Sequence, residues 1–265
     1  MPSWRILPLT LATAAEQIGR SEALWGEVAA GEAPPTMRWY GYSAPAVVLG
    51  VGQSLQVVDA AAARAAGVAV VRRASGGTAV LADETMLALD VAVPAGHPRA
   101  GSDILEAYRW LGEVFRDALA SLASPGAAGQ IGMTTVARAR ADQEAQRRAP
   151  AGSPGALRGL ACFGTLSPYE VVLAGTDGAP DRKVVGLSQV RKRGVVLYQV
   201  GLYHTVRARD LARLLAISED ERARLGAELP RRVAGLKSLR LADGSLPAGG
   251  LGTLRSRVEE RVLSG

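Results

Sequence analysis

The sequence predicts an α+β fold in which mixed, mostly antiparallel sheets are backed by helices and end in a short helical tail. Three observations carry this. Short β-rich apolar runs recur from Trp4 to Leu202 with Gly, Pro and Ser punctuation between them. Two stretches, 11–30 and 102–123, space their apolar residues as helices do, and beyond Val206 the pattern is helical only.

Trp4–Thr10 reads as a strand and Leu11–Ala30 as a helix with Thr10 at its cap. Met37–Tyr42 and Ala46–Val51 flank Ser43-Ala44-Pro45, and this turn chemistry predicts a hairpin because proline fixes its own φ and keeps its neighbour out of the helical region. Asp59–Ala66 reads as a helix ended by Gly67, and Val68–Arg73 as a strand. Ala74-Ser75-Gly76-Gly77 breaks the pattern before strands at Thr78–Leu81 and Met86–Val93. Ser102–Ala123 is helical, with Ser102 or Asp103 as cap. Arg138–Gly159 reads as a helix fragment running into a mobile loop. Strands return at Ala161–Phe163, Tyr169–Leu173, Lys183–Val190 and Val195–Leu202, and helices close the chain at Ala208–Ile217, Ser218–Leu225 and Leu251–Leu263. This divides the chain into a large unit, 1–205, and a short helical extension, 206–265.

With 265 residues, 48% apolar and 21% charged, the chain can bury a substantial core. No run approaches a membrane span and the N-terminus lacks the pattern of a signal peptide, so the expected location is cytoplasmic. Cys162 is the one cysteine and His97 and His204 the two histidines, which leaves no basis for a metal site or an internal disulfide. A net charge of +6 suits an acidic partner. Of the 31 basic residues only Lys183, Lys192 and Lys237 are lysines, so a lysine at a special place is informative.

Three constellations can carry chemistry. In Arg72-Arg73-Ala74-Ser75-Gly76-Gly77 and the segment on to Asp83, the paired glycines either form a plain turn or let a ligand lie against bare backbone beside an arginine fork. Lys183 shares a strand face with Val185 and Leu187. It therefore either meets an anion or a substrate in an apolar setting, or sits solvated at the strand's first residue. Cys162 is either an inert buried hydrophobe or a nucleophile whose thiolate a nearby cation supports. Lys192 reads as part of a charged turn and Lys237 as isolated.

Taken in order, Trp39-Tyr40-Gly41-Tyr42, Gly50 with Gln53, Arg72-Arg73-x-Ser-Gly-Gly, Asp83, Cys162-Phe163, Tyr169-Glu170 and Arg182-Lys183-Val184-Val185-Gly186-x-Ser-Gln resemble the lipoate-protein ligase and octanoyltransferase superfamily. The superfamily shares its fold with biotin-protein ligases, whose GRGRRGR-like loop this chain lacks. The resemblance, spanning roughly 35–203, implies a biotin/lipoate ligase-like catalytic domain over 1–205. It implies that Arg72, Arg73, Ser75, Gly76, Gly77, Asp83, Gly186 and Ser188 bind substrate and that Cys162 and Lys183 are catalytic, Lys183 contacting the acyl carbonyl or its phosphate.

Cys-Phe ahead of Tyr-Glu is similar to the cysteine-type octanoyltransferases. These move octanoyl or lipoyl from acyl carrier protein through a cysteine thioester to a lysine of a lipoyl domain or of glycine cleavage H protein. That reading needs no cofactor, no nucleic acid and no membrane. One alternative is an ATP-dependent lipoate-protein ligase using ATP and Mg2+; another is a non-catalytic acyl- or lipoyl-domain-binding protein. The chain departs from the family pattern at Ala82, where a histidine is usual, at Tyr198-Gln199-Val200-Gly201, where a histidine-glycine pair is frequent, and at Gly186-Leu187-Ser188 in place of Gly-Ser-Ala.

Overall fold

The computed structural model describes residues 3–239 and 250–264. The chain opens with β1 (Arg5–Ala12), α1 (Ala14–Ala29) and β2 (Thr36–Tyr42). β1 runs two residues further than its sequence suggests because Leu11 and Ala12 stay paired, in parallel, with Gly41 and Tyr42 of β2. Thr13, and not Thr10, caps α1: its hydroxyl and the Glu16 carboxylate bond each other's backbone N–H in a reciprocal box.

β3 (Ala46–Leu49) leaves the first sheet altogether, so the expected β2–β3 hairpin does not form. β2 already has β1 on one edge and will take a later strand on the other, and a strand has only two edges. β3 instead pairs in parallel with β4 (Ala69–Arg72), reached through α2 (Ala60–Ala65), and antiparallel with β5 (Val80–Ala82). Asp59 caps α2 and Gly67, at φ +65°, ends that turn. These three strands make a small sheet of order β4-β3-β5.

β6 (Met86–Pro94) returns to the main sheet beside β2. The following helix, α3 (Arg109–Leu122), starts later than its apolar spacing suggests. Asp103 bonds the N–H groups of Leu105 and Glu106 and closes a separate turn that leaves Ile104 exposed. A short helix, α4 (Pro125–Ala128), and β7 (Ile131–Met133) follow.

The segment read as a helix fragment running into a mobile loop starts with the helix α5 (Val136–Arg148), and its second half is built rather than loose, with α6 (Pro154–Leu157) inside it. Arg158, 2% exposed, ties it down through a 2.8 Å ion pair with Asp142, whose carboxylate also takes the Leu166 N–H. Residues 162–164 form a tight turn in place of the expected strand, since only Ala161 bridges to Ala79.

β8 (Val171–Leu173), β9 (Arg182–Lys192) and β10 (Val195–Tyr203) complete a seven-stranded sheet of order β1-β2-β6-β10-β9-β8-β7. Arg193 and Gly194, both at positive φ, turn β9 into β10. The tail holds α7 (Ala208–Arg213), α8 (Glu219–Glu228) and, beyond the undescribed residues 240–249, α9 (Gly250–Ser264). Among the strand pairs of the described residues, only β1–β2 and β3–β4 are parallel, so the mixed, mostly antiparallel α+β class holds.

Period-2 alternation gives the main sheet two different faces. Trp39, Leu89 and Val200 point to a core closed by Leu111 and Phe115 of α3 and by Leu254 and Val258 of α9. Burying each such side chain contributes about 1.5–3 kcal/mol. The opposite face, with Tyr40, Met86, Ala88 and Tyr203, looks at Val48 and Val80 of the small sheet, while α1 covers its other end. The candidate site lies between the two sheets.

Candidate active site

Two rows of paired residues run across the inner face of the main sheet. In the first, Arg38, Asp90, Gln199 and Ser188 stand side by side on β2, β6, β10 and β9. Asp90 is fully buried and accepts from Arg38 at 2.7 Å, from Ser21 of α1 at 2.7 Å and from Tyr40 and Gln199 at 3.2 Å each. Burying a carboxylate without hydrogen-bond donors is costly, and these four donors offset that cost. Two residues along, Tyr40, Ala88, Gly201 and Gly186 form the second row. Beyond Tyr40 this row carries almost no side chain, and a trough opens.

That trough is a pocket of about 490 Å³ counting its open mouth. Tyr42, Val48, Val80 and Met86 wall it, Gly186 and Gly201 form its floor, and Cys162, Phe163, Arg73, Ser188 and Gln199 reach its rim or ends. A Cβ at Gly186 would meet the Phe163 ring at 3.2 Å, and one at Gly201 would overlap Met86 Cε. Burial pushes the Tyr42 phenol up to about 12, and it pushes those of Tyr40 and Tyr203 well above the ordinary tyrosine value. All three line this inner face as neutral, apolar-bodied groups.

The glycine loop closes one end. Arg73 donates from every guanidinium nitrogen into the loop and its support: to the Ser75 hydroxyl, to the Gly76 and Thr78 carbonyls and to Val48 O. The fork expected to meet an oxyanion is thus engaged by backbone. Ser75 donates to Gln199 at 2.6 Å and so couples the loop to the Arg38–Asp90 row. Gly77, at φ +97°, leaves room for two groups: an ideal Cβ there would lie 2.6 Å from Arg73 Nη2 and 3.5 Å from Cys162 Sγ. The thiol therefore faces the bare backbone that the sequence suggested, with a guanidinium alongside.

Cys162 is held there by its N–H, which donates to Ala79 O at 2.9 Å. Lys183 approaches the same turn from behind. Its ammonium, 1% exposed, donates to the Cys162 carbonyl oxygen at 2.9 Å and pairs with Glu170 at 2.7 Å. Glu170 also accepts the Ser167 and Leu187 N–H groups, at 2.7 and 3.2 Å. Burial raises the Glu170 pKa, while Lys183 and the two backbone donors oppose that shift. The anion that an apolar-facing lysine requires is therefore Glu170.

Of the residues singled out from sequence, Cys162, Arg73, Gly186 and Ser188 line the pocket, and Ser75 and Gly77 abut it. Lys183 touches the Cys162 main chain and does not line the slot. Gly76 contributes its carbonyl to Arg73. Arg72 lies at the rim of the small sheet, bonding Gln53 O. Asp83 is buried, caps the turn at Thr85 and does not reach the pocket. Sequence reasoning missed the Arg38–Asp90–Gln199 row and the lining by Met86 and Phe163. Its visible signal was an arginine and an aspartate inside otherwise apolar strands. Among the described residues, no helix is long and apolar enough to cross a membrane, and no three His, Cys, Asp or Glu side chains group so that they could hold a metal ion.

Residues 13–245 match the family described as the lipoyl protein ligase A/B catalytic domain. The chain belongs to that family. Among its relatives is the octanoyltransferase LipM of Kyrpidia tusciae, 31% identical over 267 residues, covering 100% of this chain and 86% of the relative. The LipM of Moorella thermoacetica is 30% identical, covering 89% of this chain and 78% of the relative. Among solved structures, the bi-partite lipoate protein ligase of Thermoplasma acidophilum superposes with a TM-score of 0.68 at 18% identity, over 98% of this chain and 82% of that one. A lipoate-protein ligase A bound with ATP gives 0.63 at 16%, over 98% and 83%. The lipoyl protein ligase A/B fold is thus common to all of them, and in this member the inter-sheet trough ends at a cysteine.

Proposed function

We propose that this protein is an octanoyltransferase of protein lipoylation. It takes an octanoyl group from acyl carrier protein as a thioester on Cys162 and passes it to a lysine of a lipoyl domain or of glycine cleavage H protein. The observation that carries this reading is the thiol at the rim of an apolar trough whose floor is Gly186 and Gly201. An octanoyl tail offers about seven carbons, and at ~0.8 kcal/mol per CH₂ the trough supplies ~5 kcal/mol of anchoring without any polar recognition of the tail.

In the first half-reaction the Cys162 sulfur forms a bond to the donor carbonyl carbon as the donor's carbon–sulfur bond breaks. The thiol proton ends on the departing carrier thiol. In the second, the acceptor amine attacks the acyl-enzyme, an amide forms, and the Cys162 sulfur leaves with a proton from the amine. Arg73 beside Gly77 and Lys183 at the Cys162 main chain place two cations around the atoms where negative charge develops. Lys183 uses two of its three N–H bonds on Glu170 and Cys162 O, and so acts by holding the Cys162 turn against the trough.

The test is incubation with octanoyl-acyl carrier protein followed by intact mass. An octanoyl adduct that disappears in Cys162→Ser supports the transferase. Absence of an adduct together with lipoate-dependent ATP–pyrophosphate exchange replaces it with a ligase. Silence in both assays, with octanoate still raising the melting temperature, leaves an acyl-binding protein.

A further inference from the structure

A second, wider cleft lies behind the Cys162 turn, on the far side of Lys183. It spans about 970 Å³ counting its open mouth, between the end of β10, the start of α7 and residues 230–238. Its walls carry Arg182, Arg207, Arg209 and Lys237 against one carboxylate, Asp210, which lies 3.6 Å from Arg213. Arg207 is committed to Glu84 at 2.8 Å. Arg182, Arg209 and Lys237 have no acidic partner among the described residues. Among the described residues, these three cations and Arg207 outnumber the one carboxylate of the cleft, and their concave arrangement focuses a positive potential there.

The cleft is joined to the thiol in two ways. Lys183 is bonded through its main chain to the two residues that flank Val233 of the cleft wall, its N–H to Arg232 O at 2.7 Å and its carbonyl to the Ala234 N–H at 2.8 Å. The next residue back, Arg182, lines the cleft while Lys183 turns to Cys162, so one strand presents consecutive cations to the two sites. Between them lies a narrow apolar hollow. It shares Val206, Arg207, Ala208 and Val233 with the cleft and Val80 and Phe163 with the acyl trough.

We infer that this cleft is the phosphate subsite of the acyl donor, resting on the transferase reading above. It holds the phosphodiester by which the carrier protein tethers its acyl thioester, with Arg182, Arg209 and Lys237 as the ligands. The tether then runs along the apolar hollow and delivers its thioester to Cys162. Guanidinium forks fit phosphate oxygens bidentately, and two arginines with a lysine match an anion that stays charged at every working pH.

The test compares two donors on the full chain: octanoyl-acyl carrier protein and octanoyl-N-acetylcysteamine, which has no phosphate. In Arg182→Gln and in the Arg209→Gln/Lys237→Gln double variant, kcat/KM for the carrier-bound donor falls about tenfold or more. For the phosphate-free donor it stays within twofold. Equal losses on both donors, or none on either, overturn the assignment. If neither donor acylates wild-type Cys162, the transferase reading fails, and calorimetric titration with 4′-phosphopantetheine still decides the cleft. Binding to wild type that both variants abolish supports it. No binding, unchanged binding, or ATP bound in its place overturns it.

Discussion

The ammonium of Lys183 stands 2.9 Å from the backbone oxygen of Cys162 and 2.7 Å from the Glu170 carboxylate, with both charged side chains 1% exposed. Removing one partner of such a pair strands the other charge in a low-dielectric interior, which costs about 3–5 kcal/mol, whereas removing both does not. Lys183→Ala is therefore expected to lose that much stability in urea unfolding as well as adduct formation. The Lys183→Met/Glu170→Gln double variant should recover most of the stability and none of the transfer. A double variant as unstable as the single one, or one that still transfers, removes the ion pair from this account.

Gly77 is held at φ +97°, and a Cβ there would press on Arg73 Nη2. Gly77→Ala should therefore destabilise by about 1–2 kcal/mol from backbone strain alone. It should also slow acylation of Cys162, because Arg73 must leave the Gly76 and Thr78 carbonyls. The two effects are read separately by denaturant melts and by the rate of adduct formation. Wild-type values in both would make the loop an ordinary turn.

Much of this was legible in the residues, and the failures have physical reasons. Period-2 runs marked β6, β9 and β10, and a lysine sharing a strand face with Val185 and Leu187 left an anion, a substrate or solvent as its partner. Nothing local identified that anion as Glu170, because the β8–β9 register shifts between Val171 and Val172 and only pairing across the sheet brings the two together. The β2–β3 hairpin failed because turn chemistry shows where a chain bends, while the choice of partner depends on which sheet edges are free. Gly186, Gly201 and Ala88 look like unrelated small residues until the antiparallel registers align them in one row. The helical packing of 138–159 depended on the Arg158–Asp142 pair, sixteen residues apart, which composition does not reveal.

The same row sets the trough's capacity. A methyl at Gly201 overlaps Met86 Cε and drives that side chain into the space an acyl tail would occupy. Gly201→Ala should accordingly discriminate by chain length. At ~0.8 kcal/mol, roughly fourfold, per excluded CH₂, octanoyl thioesters lose about tenfold or more in kcat/KM while butanoyl thioesters change little. The measurement is acylation of Cys162 across a butanoyl, hexanoyl and octanoyl series. A uniform loss at every length would place the tail elsewhere.

Every one of the six tyrosines has a raised pKa, through burial at Tyr40, Tyr42, Tyr108, Tyr198 and Tyr203, and through its bond to Glu106 at Tyr169. A pKa raised on folding means the unfolded chain gives up its proton first as pH climbs. The stabilisation is complete below the unfolded value of about 10 and lost as pH rises through the folded value. For Tyr42, shifted to about 12, this window spans pH 10 to 12, and the contribution is about 3 kcal/mol. Near-ultraviolet titration should show less phenolate in the folded protein at pH 10 than in urea, where tyrosine is about half-ionised. Tyr42→Phe keeps the trough apolar and removes this contribution, so its stability should fall less steeply between pH 10 and 12 than that of wild type. Phenolate appearing at its ordinary pH in the folded protein would mean that the inter-sheet face is wet, and the apolar trough would go with it.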